Sequence, residues 1–94
     1  MTAPVQVTNN AADSQFELHA DGRVATLGYS ERDGKIYLIH TEVPKPLEGR
    51  GYASALARTA LEYAKDNDLV VVPYCPFVRA YLQRHPEYAP LVKQ

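Results

Sequence analysis

Residues 42–53, Glu-Val-Pro-Lys-Pro-Leu-Glu-Gly-Arg-Gly-Tyr-Ala, separate two halves of the chain that have different hydrophobic patterns. An apolar, β-branched run ends here, and Pro44 and Pro46 exclude regular structure from the residues that follow. Gly49 and Gly51 then free the backbone, and a helical pattern begins at about Gly51. The pattern is typical of a strand, a glycine turn and a helix N-terminus, whose unpaired N–H groups commonly bind phosphate. The alternative is an ordinary loop that uses glycine to turn.

Length and composition indicate one globular domain spanning residues 1–94. The net charge is −1 and no Lys/Arg cluster exists, which argues against a nucleic-acid surface. A single cysteine fits a reducing compartment, and the chain lacks both a signal-peptide pattern and an apolar run long enough to span a membrane. We therefore expect a cytoplasmic monomer or weak dimer with no membrane or nucleic-acid partner. Residues 1–12 are expected to be mobile, the alternative being a strand that begins near Val5 or Val7.

Alternating polar and apolar residues before the turn predict an antiparallel meander. Residues 14–20 form the first strand, Asp21-Gly22 is a two-residue hairpin signal, and residues 23–30 form the second strand. Residues 35–43 form the third strand. A strict period of two places four of its residues on one face, namely Ile36, Leu38, His40 and Glu42.

A helix followed by a short apolar run predicts a βαβ unit after the turn. The apolar stripe of the helix consists of Ala53, Leu56, Ala57, Ala60, Leu61 and Ala64. Residues 69–72 are typical of a strand covered on both faces, so residues 35–43 and 69–74 should run parallel. The glycine turn then lies at the carboxyl end of the strands, where open α/β sheets bind ligands. Because Pro73 cannot donate to a sheet ladder, we expect the parallel strands to separate there, the alternative being a strand that ends at Val72.

A second helix and a possible edge strand complete the predicted fold. Pro76 suits the first position of a helix that continues over residues 77–84, and His85-Pro86 ends it. Residues 88–92 are predicted to add a short edge strand. The fold class is thus mixed α/β (α+β), an antiparallel meander followed by a βαβ unit with parallel central strands.

Three ordered motifs resemble the GNAT superfamily of N-acetyltransferases. Residues 48–53 resemble its pyrophosphate loop, Gln/Arg-x-x-Gly-x-Gly/Ala. Small single-domain members also carry His-Thr-Glu-Val before this loop and Pro-x-Cys-Pro-Phe-x-x-x-Tyr after it, which are residues 40–43 and 73–81 here. The resemblance covers residues 36–92 and implies a compact GNAT-like fold. Glu48 departs from the family pattern and places a carboxylate near the expected phosphates.

The resemblance implies an acetyl-CoA-dependent N-acetyltransferase that transfers directly to a primary amine. The acceptor is a small amine, a polyamine or a protein lysine, and no metal is expected because no Cys/His set has zinc-ligand spacing. The implied coenzyme-binding residues are Val43, Glu48, Gly49, Arg50, Gly51, Tyr52, Ala53, Ser54, Pro73, Cys75, Pro76 and Phe77. The alternative function is a catalytically weak acyl-CoA-binding or sensing module of the same fold.

The resemblance also implies four catalytic candidates, which are His40, Glu42, Cys75 and Tyr81. Glu42 lies on the strand that carries the general base in many GNAT enzymes, and His40 shares its face. Tyr81 falls where the superfamily often keeps an acid for the thiolate. Cys75 precedes a helix N-terminus that can lower its pKa, and strict strand geometry makes His40 its nearest base. We expect Cys75 to shape the acetyl pocket. The alternatives are a core histidine for His40, a solvent carboxylate for Glu42, a buried apolar thiol for Cys75 and a packed ring for Tyr81.

Overall fold

A computed structural model describes residues 6–92. Its five strands form a single sheet and lie side by side in chain order. The strands are β1 Val7–Asn10, β2 Gln15–Ala20, β3 Arg23–Arg32, β4 Lys35–Glu42 and β5 Val70–Pro73. The two α-helices are α1 Tyr52–Asp66 and α2 Pro76–Arg84. Pairing is antiparallel from β1 to β4 and parallel between β4 and β5. The predicted meander and βαβ unit are confirmed.

The turn between β2 and β3 and the N-terminal segment can both be compared with their predictions. Asp21 and Gly22 have φ values of 51° and 73°, as a two-residue turn of the favoured hairpin hand requires. Val7–Asn10 forms β1, so a strand begins within the segment that composition marked as mobile. The alternative of a strand that begins near Val7 is therefore confirmed, whereas Val5 lies with the rest of residues 1–5 outside the described part of the chain.

Helix α1 packs its alanine-rich stripe closely on the sheet. Its fully buried residues are Leu56, Ala57, Ala60, Leu61 and Ala64. They join one core with the inward side chains of the strands, and Val78 and Tyr81 of α2 belong to that same core. Both helices therefore lie on one face of the sheet, here called the core face. The strand residues that alternate with the buried ones point to the opposite face, here called the open face.

A β-bulge in β4 corrects the predicted face pattern. Gly28 pairs with His40 but the next residue, Tyr29, pairs with Leu38, so Ile39 has no partner on β3. An extra residue shifts the alternation by one position. The prediction that Ile36, Leu38, His40 and Glu42 share one face is therefore wrong beyond Leu38.

Beyond the bulge, β4 presents new residues to each face. Thr41 is opposite the fully buried Leu27 and so lies on the core face. His40 and Glu42 lie on the open face, and both are exposed. They share a face with each other, as predicted, but not with the buried half of the strand.

The predicted edge strand at residues 88–92 is also wrong. Pro86–Leu91 forms a 3₁₀ helix, and only Val92 makes a bridge, to Val71 of β5. Pro86 and Pro90 have no backbone N–H and cannot donate to a ladder, so this segment caps the end of α2 rather than extending the sheet.

Candidate functional site

The glycine turn adopts a conformation that only its glycines accept readily. Gly49 and Gly51 have φ values of 81° and 79°, in the left-handed region. A Cβ at either position would meet nothing within 4 Å, so backbone conformation rather than crowding accounts for glycine here. Gly51 is the N-cap of α1 and has no side chain with which to cap it.

The turn leaves backbone donors free at the start of α1. The first helical bond runs from Ala55 N–H to Gly51 O, at 3.1 Å. The N–H groups of Tyr52, Ala53 and Ser54 have no backbone partner among the described residues. Because the helix dipole adds partial positive charge there, these groups form a site suited to an anion.

A cleft of about 320 Å³ opens at this turn, between the end of β4 and the start of α2. Its lining residues are Val43, Leu47, Glu48, Gly49, Gly51, Tyr52, Ala53, Ser54 and Phe77. The structure thus gathers most of the residues predicted to bind coenzyme around one space. Leu47 was missed, although a lone apolar residue in a proline-rich loop is a usable signal. It is fully buried at the end of the 3₁₀ turn Lys45–Leu47.

Two charged residues of the turn differ in their surroundings. Glu48 is exposed and lines the cleft together with the residues that carry the free N–H groups. Arg50 instead forms a 2.6 Å ion pair with Asp21 of the β2–β3 hairpin, and this contact raises the pKa of Arg50. Arg50 therefore links the glycine turn to the β2–β3 hairpin through this ion pair, and it is not among the residues that line the cleft.

The parallel strands separate at Pro73, as predicted. The last β4–β5 pair is Leu38 with Pro73, whereas β4 continues to Glu42. The N–H groups of Tyr74 and Cys75 both donate to Leu38 O, at 3.0 and 2.9 Å, which turns the chain away from β4. Among residues 6–92, no strand therefore pairs with the edge of β4 that faces away from β3 beyond Leu38, and Pro76 begins α2 there.

Cys75 is the N-cap residue of α2 and its side chain is only 2% exposed. Its Sγ lies 3.2 Å from Thr41 Oγ1. Burial raises the pKa of the thiol, but hydrogen bonds from the Thr41 hydroxyl and from the N–H groups of Val78 and Phe77 outweigh burial and leave this pKa below its usual value. The side chain that contacts this sulfur is therefore Thr41. His40, predicted to be the nearest base, lies on the open face because of the bulge, whereas Cys75 is buried in the core.

Tyr81 lines a second cavity of about 560 Å³, which extends from Gly51 and Ser54 to the end of α2. Its ring stacks on His85 with centroids 4.1 Å apart, and burial raises the pKa of its phenol. Tyr81 follows Cys75 by six residues, which is about 9 Å along a helix and brings it to a different side of the helix. The two side chains therefore project from separate parts of α2.

Residues 6–92 contain neither a metal-binding cluster nor a membrane-spanning helix. No group of three or more His, Cys, Asp or Glu side chains is arranged to hold a metal ion. Within the same range, neither helix has the length and apolar character that crossing a membrane requires.

The chain is similar in sequence to known proteins. Residues 15–91 match a family model described as GCN5-related N-acetyl-transferase. Protein NATD1 of Gallus gallus is 36% identical over 87 residues, which cover 88% of this chain and 78% of that protein. Protein NATD1 of Homo sapiens is 34% identical over 87 residues, which cover 88% of this chain and 76% of that protein.

The fold is similar to a solved structure, that of a GCN5-like protein from Staphylococcus aureus determined by NMR. The TM-score is 0.72 at 23% identity, and the match covers 94% of this chain and 87% of that chain. This likeness confirms the predicted mixed α+β fold. The match of the family model over residues 15–91 shows that the chain belongs to the GCN5-related N-acetyl-transferase family.

Proposed function

We propose that the chain is an acetyl-CoA-dependent N-acetyltransferase acting on a primary amine. The observation that carries this proposal is the set of free N–H groups of Tyr52, Ala53 and Ser54 at the mouth of the cleft. Donors of this kind bind phosphate, and family membership is the reason to expect the pyrophosphate of CoA.

The cleft suits the rest of the coenzyme as well. Its volume of about 320 Å³ is at the lower end of the range for small-molecule sites. Val43, Leu47 and Phe77 provide apolar walls, as the largely aliphatic pantetheine arm needs. The vacant edge of β4 beyond Leu38 offers backbone groups to the amides of that arm. Pro73, Cys75 and Pro76 border this opening, which is the role we assign to them.

Transfer to the amine requires two proton movements. A base takes one proton from the ammonium, the nitrogen lone pair attacks the thioester carbonyl, and the C–S bond breaks. The remaining excess proton on nitrogen then passes to the departing thiolate, so charge and atoms balance. We assign the first proton transfer to His40 or Glu42, because both are exposed on the open face beside the vacant edge, and we infer that the amine approaches from that face.

Direct transfer is favoured over an acetyl-cysteine intermediate. A covalent route needs a base at the nucleophile, and the side chain that contacts Cys75 Sγ is the Thr41 hydroxyl, which is not a base at neutral pH. Cys75 is buried on the core face, whereas His40 is on the open face. Cys75 is therefore assigned to the wall of the acetyl pocket.

The test is to mix the protein with acetyl-CoA and an amine panel, namely a monoamine, a polyamine and a lysine peptide, and to measure CoA release and product mass. We expect release that depends on the amine. Cys75→Ala should retain turnover, whereas His40→Ala or Glu42→Gln should lower it most at low pH, where less of the amine is deprotonated. CoA binding without amine-dependent release would indicate an acyl-CoA-binding module instead, and absence of both would overturn the proposal.

Mass spectrometry separates the two chemical routes. Under direct transfer, protein treated with acetyl-CoA alone should carry no stoichiometric acetyl adduct. A rapid single adduct on Cys75 that an amine discharges, together with an inactive Cys75→Ala variant, would replace direct transfer with a two-step mechanism.

A further inference from the structure

The open face of the sheet carries exposed apolar side chains near the proposed point of transfer. Both α-helices lie on the core face, so among residues 6–92 no α-helix covers the open face. Tyr74 follows the end of β5 and is 60% exposed, and Ile39, the bulge residue of β4, is 47% exposed. Because Ile39 directly precedes His40 and Tyr74 lies where the parallel strands separate, this apolar surface adjoins the proposed site of proton transfer. Exposed apolar surface in such a place commonly marks a binding site.

Three side chains form a row across β3, β4 and the end of β5. Tyr37 alternates with the buried residues of β4 and so lies on the open face. The Tyr74 ring stacks on the Tyr37 ring with centroids 6.0 Å apart, and Cζ of Arg32 lies 4.5 Å from the centroid of the Tyr37 ring. Arg32 also donates a 3.3 Å hydrogen bond to Ser30 Oγ. These contacts hold the guanidinium over the aromatic row.

Opposite charges without ionic partners lie at the two ends of this surface. Among residues 6–92, Arg32 forms no ion pair, and Glu42 forms neither an ion pair nor a side-chain hydrogen bond. Both side chains are exposed, and Lys35 opposite Arg32 adds positive charge at the same end. An acceptor that lies between the two ends would therefore match them by presenting its ammonium to Glu42 and an anionic group to Arg32.

The separation of these charges discriminates among acceptors. Glu42 pairs with Thr26, and Tyr37, below the Arg32 guanidinium, pairs with Ser30. These two partners are four residues apart on β3, which corresponds to about 13 Å. A monoamine is too short to reach both ends, and a polyamine would bring a second ammonium to the guanidinium. An extended polypeptide covers the distance in four residues and directs residues i and i+4 to the same side.

We propose that the acceptor is an extended polypeptide segment lying on the open face, with a lysine at the reaction centre and a carboxylate four residues away at Arg32. An apolar side chain midway between them packs on Tyr37 and Tyr74. This inference rests on the proposed function, since it names the amine that the same site acetylates. The long lysine side chain lets the amine reach the vacant edge of β4 while the peptide backbone stays on the open face.

The test measures kcat/KM from CoA release with peptides whose N-terminus is blocked and whose single primary amine is one lysine. The reference peptide has leucine two residues and glutamate four residues from the lysine, and glutamine or arginine replaces the glutamate in two others. Each peptide is made with the glutamate side before and after the lysine. We expect wild type to prefer glutamate over glutamine about twofold to fivefold in one of these directions, as an exposed ion pair gives, and to use the arginine peptide least.

Variants of the protein assign this preference to the open face. Arg32→Glu reverses the charge and should reverse the order of the glutamate and arginine peptides. Lys65→Gln removes a positive charge from the last turn of α1 and should keep the wild-type order. Tyr74→Ala should reduce the preference for leucine over serine at the middle position, and the exposure of Tyr74 means that its truncation leaves the core intact. Circular dichroism checks that each variant is folded.

The outcomes separate the two proposals. Equal kcat/KM for the three peptides in wild type, or an order that Arg32→Glu leaves unchanged, would overturn this inference while acetyl transfer stands. A monoamine or polyamine used with higher kcat/KM than the glutamate peptide would overturn it as well. If no amine, peptides included, releases CoA, the proposed function fails and this inference fails with it.

Discussion

At the scale of single residues, the Thr41 hydroxyl is the side chain that contacts the thiol of Cys75. Burial raises the pKa of that thiol and hydrogen bonds, led by the Thr41 hydroxyl, lower it further than burial raises it. Thr41→Val removes the hydroxyl at nearly constant volume, so the pKa of Cys75 should rise. The measurement is the Cβ chemical shift of labelled cysteine against pH, which reports this residue alone because the chain has a single cysteine. Thr41→Ser keeps the hydroxyl and should keep the low pKa. Equal titration in all three proteins would show that Thr41 has no influence.

Glu48 places a negative charge beside the proposed pyrophosphate site. Glu48→Gln should tighten CoA binding about twofold to fivefold at low salt, because like-charge repulsion across an exposed cleft is removed, and the gain should shrink as salt screens the charges. Asp66→Asn removes the same charge from the far end of α1 and should have little effect. Unchanged affinity for Glu48→Gln at every salt concentration would mean that the Glu48 carboxylate is directed away from bound phosphate.

The sequence predicted the residues of the turn because their chemistry is local. Gly49 and Gly51 have the left-handed φ values that glycine signals, and the free N–H groups follow from where the helix begins. The contact between Thr41 and Cys75 joins residues 34 positions apart and depends on a bulge elsewhere. No property of Thr41 itself distinguishes it from an ordinary strand residue.

At the scale of elements, the β4 bulge explains the main wrong prediction. A period of two holds only while each residue has one partner, and the unpaired Ile39 exchanges the faces of His40 and Thr41. Bulges arise from the fit of two strands, so a pattern within one strand does not contain them. The prediction for the C-terminal segment is wrong for a different reason, because Pro86 and Pro90 have no backbone N–H for a ladder and the segment forms a 3₁₀ helix.

A hydrogen bond joins the segment Pro86–Leu91 to α1, and its contribution to the free energy of unfolding can be measured. Tyr88 donates to Glu62 at 2.6 Å, and this bond, helped by burial, raises the pKa of Tyr88 to about 12. A raised folded pKa stabilises the protein below the unfolded value near 10, and this stabilisation is lost as pH rises from about 10 to about 12. Tyr88→Phe should therefore cost about 1 kcal/mol at neutral pH and progressively less in that alkaline range.

Chemical unfolding of wild type and Tyr88→Phe at a series of pH values tests this prediction. Tyr63 donates a similar hydrogen bond to Glu31, and its pKa is also raised to about 12. Tyr63→Phe is therefore a matched comparison, and its free energy of unfolding should likewise depend less on pH in the alkaline range than that of wild type. A stability difference between wild type and Tyr88→Phe that stays constant up to pH 12 would contradict the linkage.

At the scale of the whole molecule, a chain of 94 residues has a small core and a modest free energy of unfolding, so a ligand contributes a visible share. CoA at ~100 times its Kd should add about 2.7 kcal/mol and raise the melting temperature. Gly51→Val strains the turn at a φ of 79° and should abolish that ligand-induced rise. Gly34→Val strains the β3–β4 hairpin at a φ of 76° and should lower stability yet keep the rise. Equal loss of the rise in both variants would point to general destabilisation.

The N–H groups of Tyr52, Ala53 and Ser54 are the central element of the proposed coenzyme site, and NMR observes them directly. In a ¹⁵N–¹H titration of the protein with CoA, we expect these amide signals to move among the most, because a phosphate replaces water as their acceptor. The amides of Asp33 and Gly34 in the β3–β4 hairpin, at the opposite end of β4 from the turn, serve as an internal reference and should move little. Saturation with CoA that leaves the signals of residues 52–54 in place, or no binding at millimolar CoA, would contradict the account.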